Sequence, residues 1–114
     1  MELIEVYLKG TKTMYSKDNL SKLPKMGELS QEAMTAFLTY DKAALAEGAI
    51  PKKYKELMAI AVALTTQCPY CIEVHRQQAL KAGVTEQELA EAVHVTAALR
   101  AGGAITHGTH LFEG

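Results

Sequence analysis

The chain of 114 residues lacks an excess of charge of either sign. Twelve Lys and Arg stand against 13 Asp and Glu, for a formal net charge of −1. A nucleic-acid-binding surface draws on a basic excess, so no nucleic-acid partner is expected. Long apolar runs are missing as well. No stretch reaches the roughly 20 apolar residues that a membrane span needs, so no membrane association is expected. The first ten residues, MELIEVYLKG, place acidic side chains where a secretory leader carries basic ones. A cytoplasmic protein is the expectation. The alternation that marks β-strands is absent, and so are internal repeats and low-complexity segments. Cysteine is scarce: Cys68 and Cys71 are the only two. In a reducing compartment, such a pair points to catalysis or metal binding rather than to a permanent staple.

What is present reads as helix. With 48% apolar residues, the chain can form a single domain over 1–114 with a modest core. Residues 2–16 carry Leu3, Ile4, Val6, Tyr7, Leu8, Met14 and Tyr15, interrupted by Gly10, and read as a short helix or a loose arm. Residues 17–29, with Pro24, Gly27 and scattered lysines, read as a connector with room for a helical turn. Residues 1–29 are thus an N-terminal arm or helix and its connector. Ser30 is the expected N-cap of a helix through Ala33, Met34, Phe37, Leu38, Tyr40, Ala44 and Leu45, closed by Gly48. The next helix is predicted over 51–66, with Pro51 in its first turn. Beyond Leu57 it is apolar almost all round, the pattern of a helix buried in a core or between subunits.

Pro69 suits the first position of a further helix, with Cys68 as its N-cap and Gly83 as its end. Thr85 and Glu88 fit a capping box that opens another, lined by Leu89, Ala92, Val93, Thr96, Ala97 and Leu99. Gly102 and Gly103 are expected to break or kink it, leaving a last segment over 104–112. The fold class is all-α, with about five or six helices and the Cys-x-x-Cys at a helix start.

The chemistry concentrates between Glu56 and His75. Two thiols, an imidazole and a carboxylate within twenty residues are the side chains that thiol redox chemistry uses. In a helix starting at Pro69, Cys71 and His75 are i and i+4 and share a face. Cys68 and Cys71 are close enough for a disulfide across the helix start. The helix dipole favours a thiolate there, but both cysteines lie in the first turn, so this alone does not choose the nucleophile. Along one straight helix Glu56 would sit about 18 Å from Cys68. If the chain reverses near Gln67, Glu56 lies about 16 Å and His75 about 10 Å below the turn. They are then offset by about one helical turn, within reach of a direct or water-bridged contact and a Glu–His–Cys proton relay.

Blander readings stand beside these. The cysteines could be buried structural thiols, His75 a satisfied helix histidine and Glu56 a solvated one-face carboxylate. Zinc could sit on Cys68, Cys71 and His75 with Glu56 or His94 as a fourth ligand. His94 reads as structural, His107 and His110 as a solvated pair, and Met14, Met26, Met34 and Met58 as packing. Tyr70, between the cysteines, covers or borders the site.

The spacing Glu56-x11-Cys68-x2-Cys71-x3-His75, with an alanine-rich helix before it and Gly83, Thr85 and Glu88 after it, resembles the signature of the AhpD-like alkylhydroperoxidases. These belong to the carboxymuconolactone decarboxylase family, and the resemblance spans roughly residues 30 to 110. It implies an all-helical bundle built around a helical hairpin, assembled through apolar helix faces into trimers or hexamers. It implies a peroxidase in which Cys71 is the peroxidatic thiolate, Cys68 the resolving thiol, and His75 with Glu56 the proton relay. Hydroperoxide oxidises Cys71 to a sulfenic acid, Cys68 condenses with it to a disulfide, and a lipoyl-type or thioredoxin-like dithiol restores both. Neither a cofactor nor a metal is called for. The decarboxylase branch generally lacks the Cys pair, which argues against lactone decarboxylation. A disulfide reductase or redox adaptor for a protein partner, a lactone enzyme and a zinc-stabilised binding module are the alternatives.

Overall fold

The structure, a computed structural model, describes residues 2, 4, 5 and 15–114. The expectations for Leu3, Val6, Tyr7, Leu8, Gly10 and Met14 lie outside the described residues. A 3-10 segment, Lys17–Lys22, leads into α1 (Leu23–Leu29), α2 (Gln31–Leu45), α3 (Lys52–Thr66), α4 (Pro69–Lys81) and α5 (Glu86–His107), followed by a 3-10 turn at Gly108–Leu111. No strand occurs among the described residues. The architecture is all-α, as the periodicity predicts.

The centre is the hairpin of α3 and α4, with α5 packed on α3. Ile60 of α3, Ala79 of α4 and Val84 are buried together, with Leu57, Leu64 and Leu89 around them. Ala79 is completely buried; a methyl there lets the backbones of α3 and α4 approach closely. Gly83 has φ +93°, which only glycine adopts freely. It allows the N–H of Val84 to reach the carbonyl of Ala79 (3.0 Å) and its own N–H to reach that of Leu80 (3.1 Å). This double closure ends α4 and drops Val84 into the core. Thr85 immediately opens α5. Its Oγ1 accepts the N–H of Glu88 (3.1 Å), and Glu88 Oε1 accepts the N–H of Thr85 (2.9 Å), completing the expected capping box.

Three sequence readings are corrected. Residues 17–29 are helical rather than a connector: Ser16 caps the 3-10 segment, and Pro24 falls in the first turn of α1, where its missing N–H costs nothing. Ser30 occupies the N-cap position of α2 but does not cap it with its side chain. Its hydroxyl instead donates to the carbonyl of Met26 (2.6 Å), so it closes α1. Gly102 and Gly103 do not break α5, which runs unbroken over 22 residues. Each glycine weakens a helix by about 1 kcal/mol, too little to sever one anchored by a full capping box and packed on α3. The separate last helix shrinks to the Gly108–Leu111 turn. In addition α2 stops at Leu45, ahead of Gly48, where lysines from α3 take up its last carbonyls.

α3 buries only one face within the chain, through Glu56, Ile60 and Ala63. Met58 and Val62 remain 54% and 60% exposed, so part of its apolar surface is uncovered.

Replacing Thr85 with Ala is expected to lower unfolding stability by about 1 kcal/mol in a urea titration. The Thr85 N–H and Lys53 (3.0 Å) hold the Glu88 carboxyl below the usual carboxylate range. A depressed folded-state value stabilises at pH above the unfolded value and is lost as pH falls through the folded one. The stability gap between the native chain and Glu88→Gln therefore narrows in acid.

Candidate active site

Glu56 shares one face of α3 with Ile60 and Ala63, so the packing that buries them carries its carboxylate inward, leaving it 1% exposed. The chain reverses where the sequence requires. Gln67 takes the left-handed conformation (φ 55°, ψ 41°), and the N–H of Cys68 closes back on the carbonyl of Ala63 (3.2 Å). Cys68 is then extended and serves as N-cap of α4, with Pro69 in the first turn. Its Sγ accepts the N–H of Cys71 at 3.4 Å. Both thiols are free, Cys68 half-buried and Cys71 exposed.

The hairpin brings Glu56 and His75 into direct contact, Oε2 to Nδ1 at 3.0 Å. The expected offset of one helical turn is spanned by the side chains themselves. The second carboxylate oxygen, Oε1, faces Lys52 Nζ at 3.4 Å. That ammonium also donates to the carbonyl of Leu45 at the end of α2 (3.1 Å). With Glu56 ionised, Nδ1–H donates to Oε2, and Nε2 is the basic nitrogen of the ring. His75 and Cys71 are one turn apart on α4, but among the described residues no hydrogen bond joins them.

The two thiols are unequal. The Cys71 thiol and then the Cys71 N–H act on Cys68 and pull its pKa down, helped by the N–H of Tyr70 and opposed by burial. Cys71 is pushed up, first by its bond to Cys68, then by burial and by the negative charge of Cys68 and Asp41. Of the pair, Cys68 is therefore the thiol that ionises first and Cys71 the one that ionises second.

Tyr70 borders the site, as its position suggests. Its hydroxyl receives Asn19 Nδ2 (2.8 Å), and its ring meets Tyr15 edge-on at 4.9 Å between centroids. A groove of about 860 Å³ runs past it, walled by Leu20, Leu23 and Met26. His94 is exposed on α5. His107 and His110 stack at 5.9 Å between ring centroids. Among the described residues no three His, Cys, Asp or Glu side chains gather as metal ligands.

Sequence reasoning passed over Lys52, although its i, i+4 spacing to Glu56 was a usable signal. Asn19 and Asp41 carried none, because their proximity to α4 is purely tertiary.

Known proteins share this arrangement of chain. The sequence profile of the carboxymuconolactone decarboxylase family matches residues 31–114. "Uncharacterized protein 4 in cox locus" of Paracoccus denitrificans is 44% identical over 85 residues, 72% of this chain and 77% of that protein. An uncharacterized protein of Cupriavidus necator is 37% identical over 70 residues, 61% of this chain and 62% of that one. Among solved structures, a carboxymuconolactone decarboxylase family protein from Legionella pneumophila superposes with a TM-score of 0.70 at 35% identity, covering 82% of this chain and 83% of that. A Methanobacterium thermoautotrophicum protein superposes with a TM-score of 0.71 at 35% identity, covering 75% of this chain and 97% of that.

The inequality of the thiols is measurable. In reduced protein, residue-resolved alkylation with iodoacetamide is expected to label Cys68 at lower pH than Cys71. Cys71→Ala removes the first cause of the lowered Cys68 value, so Cys68 labelling then shifts to higher pH.

Proposed function

The chain belongs to the carboxymuconolactone decarboxylase family, and within it we propose a thiol-dependent peroxidase that cycles Cys68 and Cys71 between dithiol and disulfide. The observation that carries this reading is the 3.0 Å contact between a buried Glu56 and His75, on the helix that starts with both thiols. A structural dithiol has no use for a paired base. A thiol whose pKa is pushed up does, and Cys71 is that thiol.

In the cycle, His75 takes the proton of Cys71 as its sulfur attacks the distal oxygen of a hydroperoxide. The O–O bond breaks and Cys71 becomes a sulfenic acid. The alkoxide leaves as an alcohol, taking the proton from His75. Cys68 attacks the Cys71 sulfur as its thiolate; the S–S bond forms and the sulfenic hydroxyl leaves as hydroxide, which takes a proton from solvent to become water. The two electrons lost by the thiols have reduced the peroxide. An external dithiol of lipoyl or thioredoxin type then reduces the disulfide by exchange and is itself oxidised. Glu56 steadies the imidazolium formed in the first step. The groove beside Tyr70 suits the organic part of an alkyl hydroperoxide.

The exposed surface supports a homo-oligomer, a trimer or hexamer. Phe37, Tyr40 and Leu99 are 58%, 74% and 70% exposed, and burying such faces is what subunit contacts do. A cytoplasmic setting suits a dithiol that must be re-reduced after each turnover. A second reading, a disulfide reductase or adaptor for a protein partner, draws on the exposure of Cys71.

The test titrates free thiols before and after one equivalent of cumene hydroperoxide, with mass spectrometry of the product. Loss of both thiols to an intramolecular Cys68–Cys71 bond is expected, with a trapped sulfenic acid at Cys71 in Cys68→Ser. Intact thiols after peroxide would exclude the peroxidase. A sulfenic acid appearing on Cys68 in Cys71→Ser, at the native rate, would reassign the nucleophile. Light scattering of the native protein should give a mass of three or six chains; a monomer would contradict the assembly.

A further inference from the structure

The proposed relay begins with a carboxylate that has almost no access to water. Glu56 is 1% exposed, and its two oxygens have separate partners: Oε2 meets His75 Nδ1 at 3.0 Å, and Oε1 meets Lys52 Nζ at 3.4 Å. A buried anion is costly unless paired and hydrogen-bonded. His75 cannot supply this pairing throughout a cycle in which it accepts and returns a proton. Lys52 carries a permanent positive charge on the same carboxylate.

Lys52 is itself held. Its Nζ donates to the carbonyl of Leu45 (3.1 Å), at the end of α2, and its backbone N–H donates to Glu47 Oε2 (2.9 Å). Its neighbour Lys55 grips the carbonyls of Ala44 (3.0 Å) and Ala46 (2.7 Å). The end of α2 is thus pinned to α3 by two lysines, of which only Lys52 also reaches Glu56.

We infer that Lys52 is the positioning residue of the relay: its ammonium, braced on the last turn of α2, holds one oxygen of Glu56 so that the other stays turned to His75. The inference rests on the peroxidase reading for its purpose but not for its geometry. The charged and titratable groups around the pair are few. On α3 they are Lys52 and Lys55, the latter committed to the α2 carbonyls. On α4 they are Cys68, Cys71, Glu73, which is bonded to Gln77, and Arg76. α2 contributes Asp41, which acts on Cys71, and the α2–α3 connection contributes Glu47. On α5, Glu88 is taken by Lys53.

The sign of the effect follows from charge. Lys52⁺ disfavours a proton on the Glu56–His75 pair, so removing it makes the pair bind that proton at higher pH. Because Lys52 is 42% exposed and screened, the movement is small, and its direction is what the experiment reads. A purely structural role, anchoring α2, would lower thermal stability without moving this titration.

The experiment follows the His75 ring signals by NMR against pH in native protein, Lys52→Met and Lys52→Arg. It also follows the pH profile of single-turnover thiol oxidation by cumene hydroperoxide. In Lys52→Met the His75 midpoint and the acid limb of the rate profile both move to higher pH. The rate at pH 7 falls by about tenfold. Lys52→Arg, which keeps the charge, restores the native midpoint. A His75 midpoint unmoved in Lys52→Met would overturn the inference, even if melting temperature falls. So would an arginine variant as shifted as the methionine one. If native protein leaves cumene hydroperoxide unreduced, the peroxidase reading fails, and the His75 titration still decides the role of Lys52.

Discussion

A carboxylate with no access to water must be matched by donors that the fold brings to it, and Glu56 imposes that condition on this structure. It is the largest fully buried side chain among the described residues. Matching it requires that α4 run back along α3 in one register, so that His75 arrives at Oε2. It also requires that α2 end where Lys52 can brace against Leu45 while reaching Oε1. The reversal at Gln67, the proline after Cys68 and the glycine closure at Gly83 are the local devices that set this register. Packing of Ile60, Ala79 and Val84 then holds it. An unmatched carboxylate at this depth costs several kcal/mol, comparable to much of what so small a core provides. The hairpin and the site therefore stabilise each other.

The two thiols inherit their difference from the same geometry. Cys68, as N-cap, receives donors from the residue three positions on, as any helix start offers. Cys71, within the helix, bonds to a neighbour that holds negative charge. One thiol therefore ionises more readily than the other, the difference on which the proposed division into a resolving and a peroxidatic cysteine draws. The Glu56–His75 pair stands on the face of α4 that carries the second of them.

Much of this was legible in the sequence, because it depends on local rules. Pro69 after Cys68 announced a helix with a cysteine cap, and Thr85 with Glu88 announced a capping box. The spacing of Glu56 from His75 announced a contact once a reversal near Gln67 was granted. What escaped was tertiary or arose from competing local bonds. Ser30 looked like a cap, but its hydroxyl found the carbonyl of Met26, one turn behind it. Gly102 and Gly103 looked like a break, but two weak residues in the interior of a long, well-capped helix do not end it. The proline and glycine of residues 17–29 suggested a connector, yet Pro24 sits where a helix tolerates it. Lys52 was passed over because burial of Glu56 cannot be seen without the fold. The all-round apolar character of α3 was read as burial in a core or between subunits, and the single chain leaves Met58 and Val62 exposed, for another subunit in the proposed assembly.

The central claim is that Glu56 and His75 act on the dithiol as one unit. A double-mutant cycle tests it most directly, using Glu56→Gln, His75→Gln and the pair, with the single-turnover rate of thiol oxidation by hydroperoxide as the readout. The account predicts that each single change slows oxidation by about 10²-fold and that the double variant is scarcely slower than either. Losses that multiply to about 10⁴-fold, or a Glu56→Gln variant that oxidises at the native rate, would contradict it.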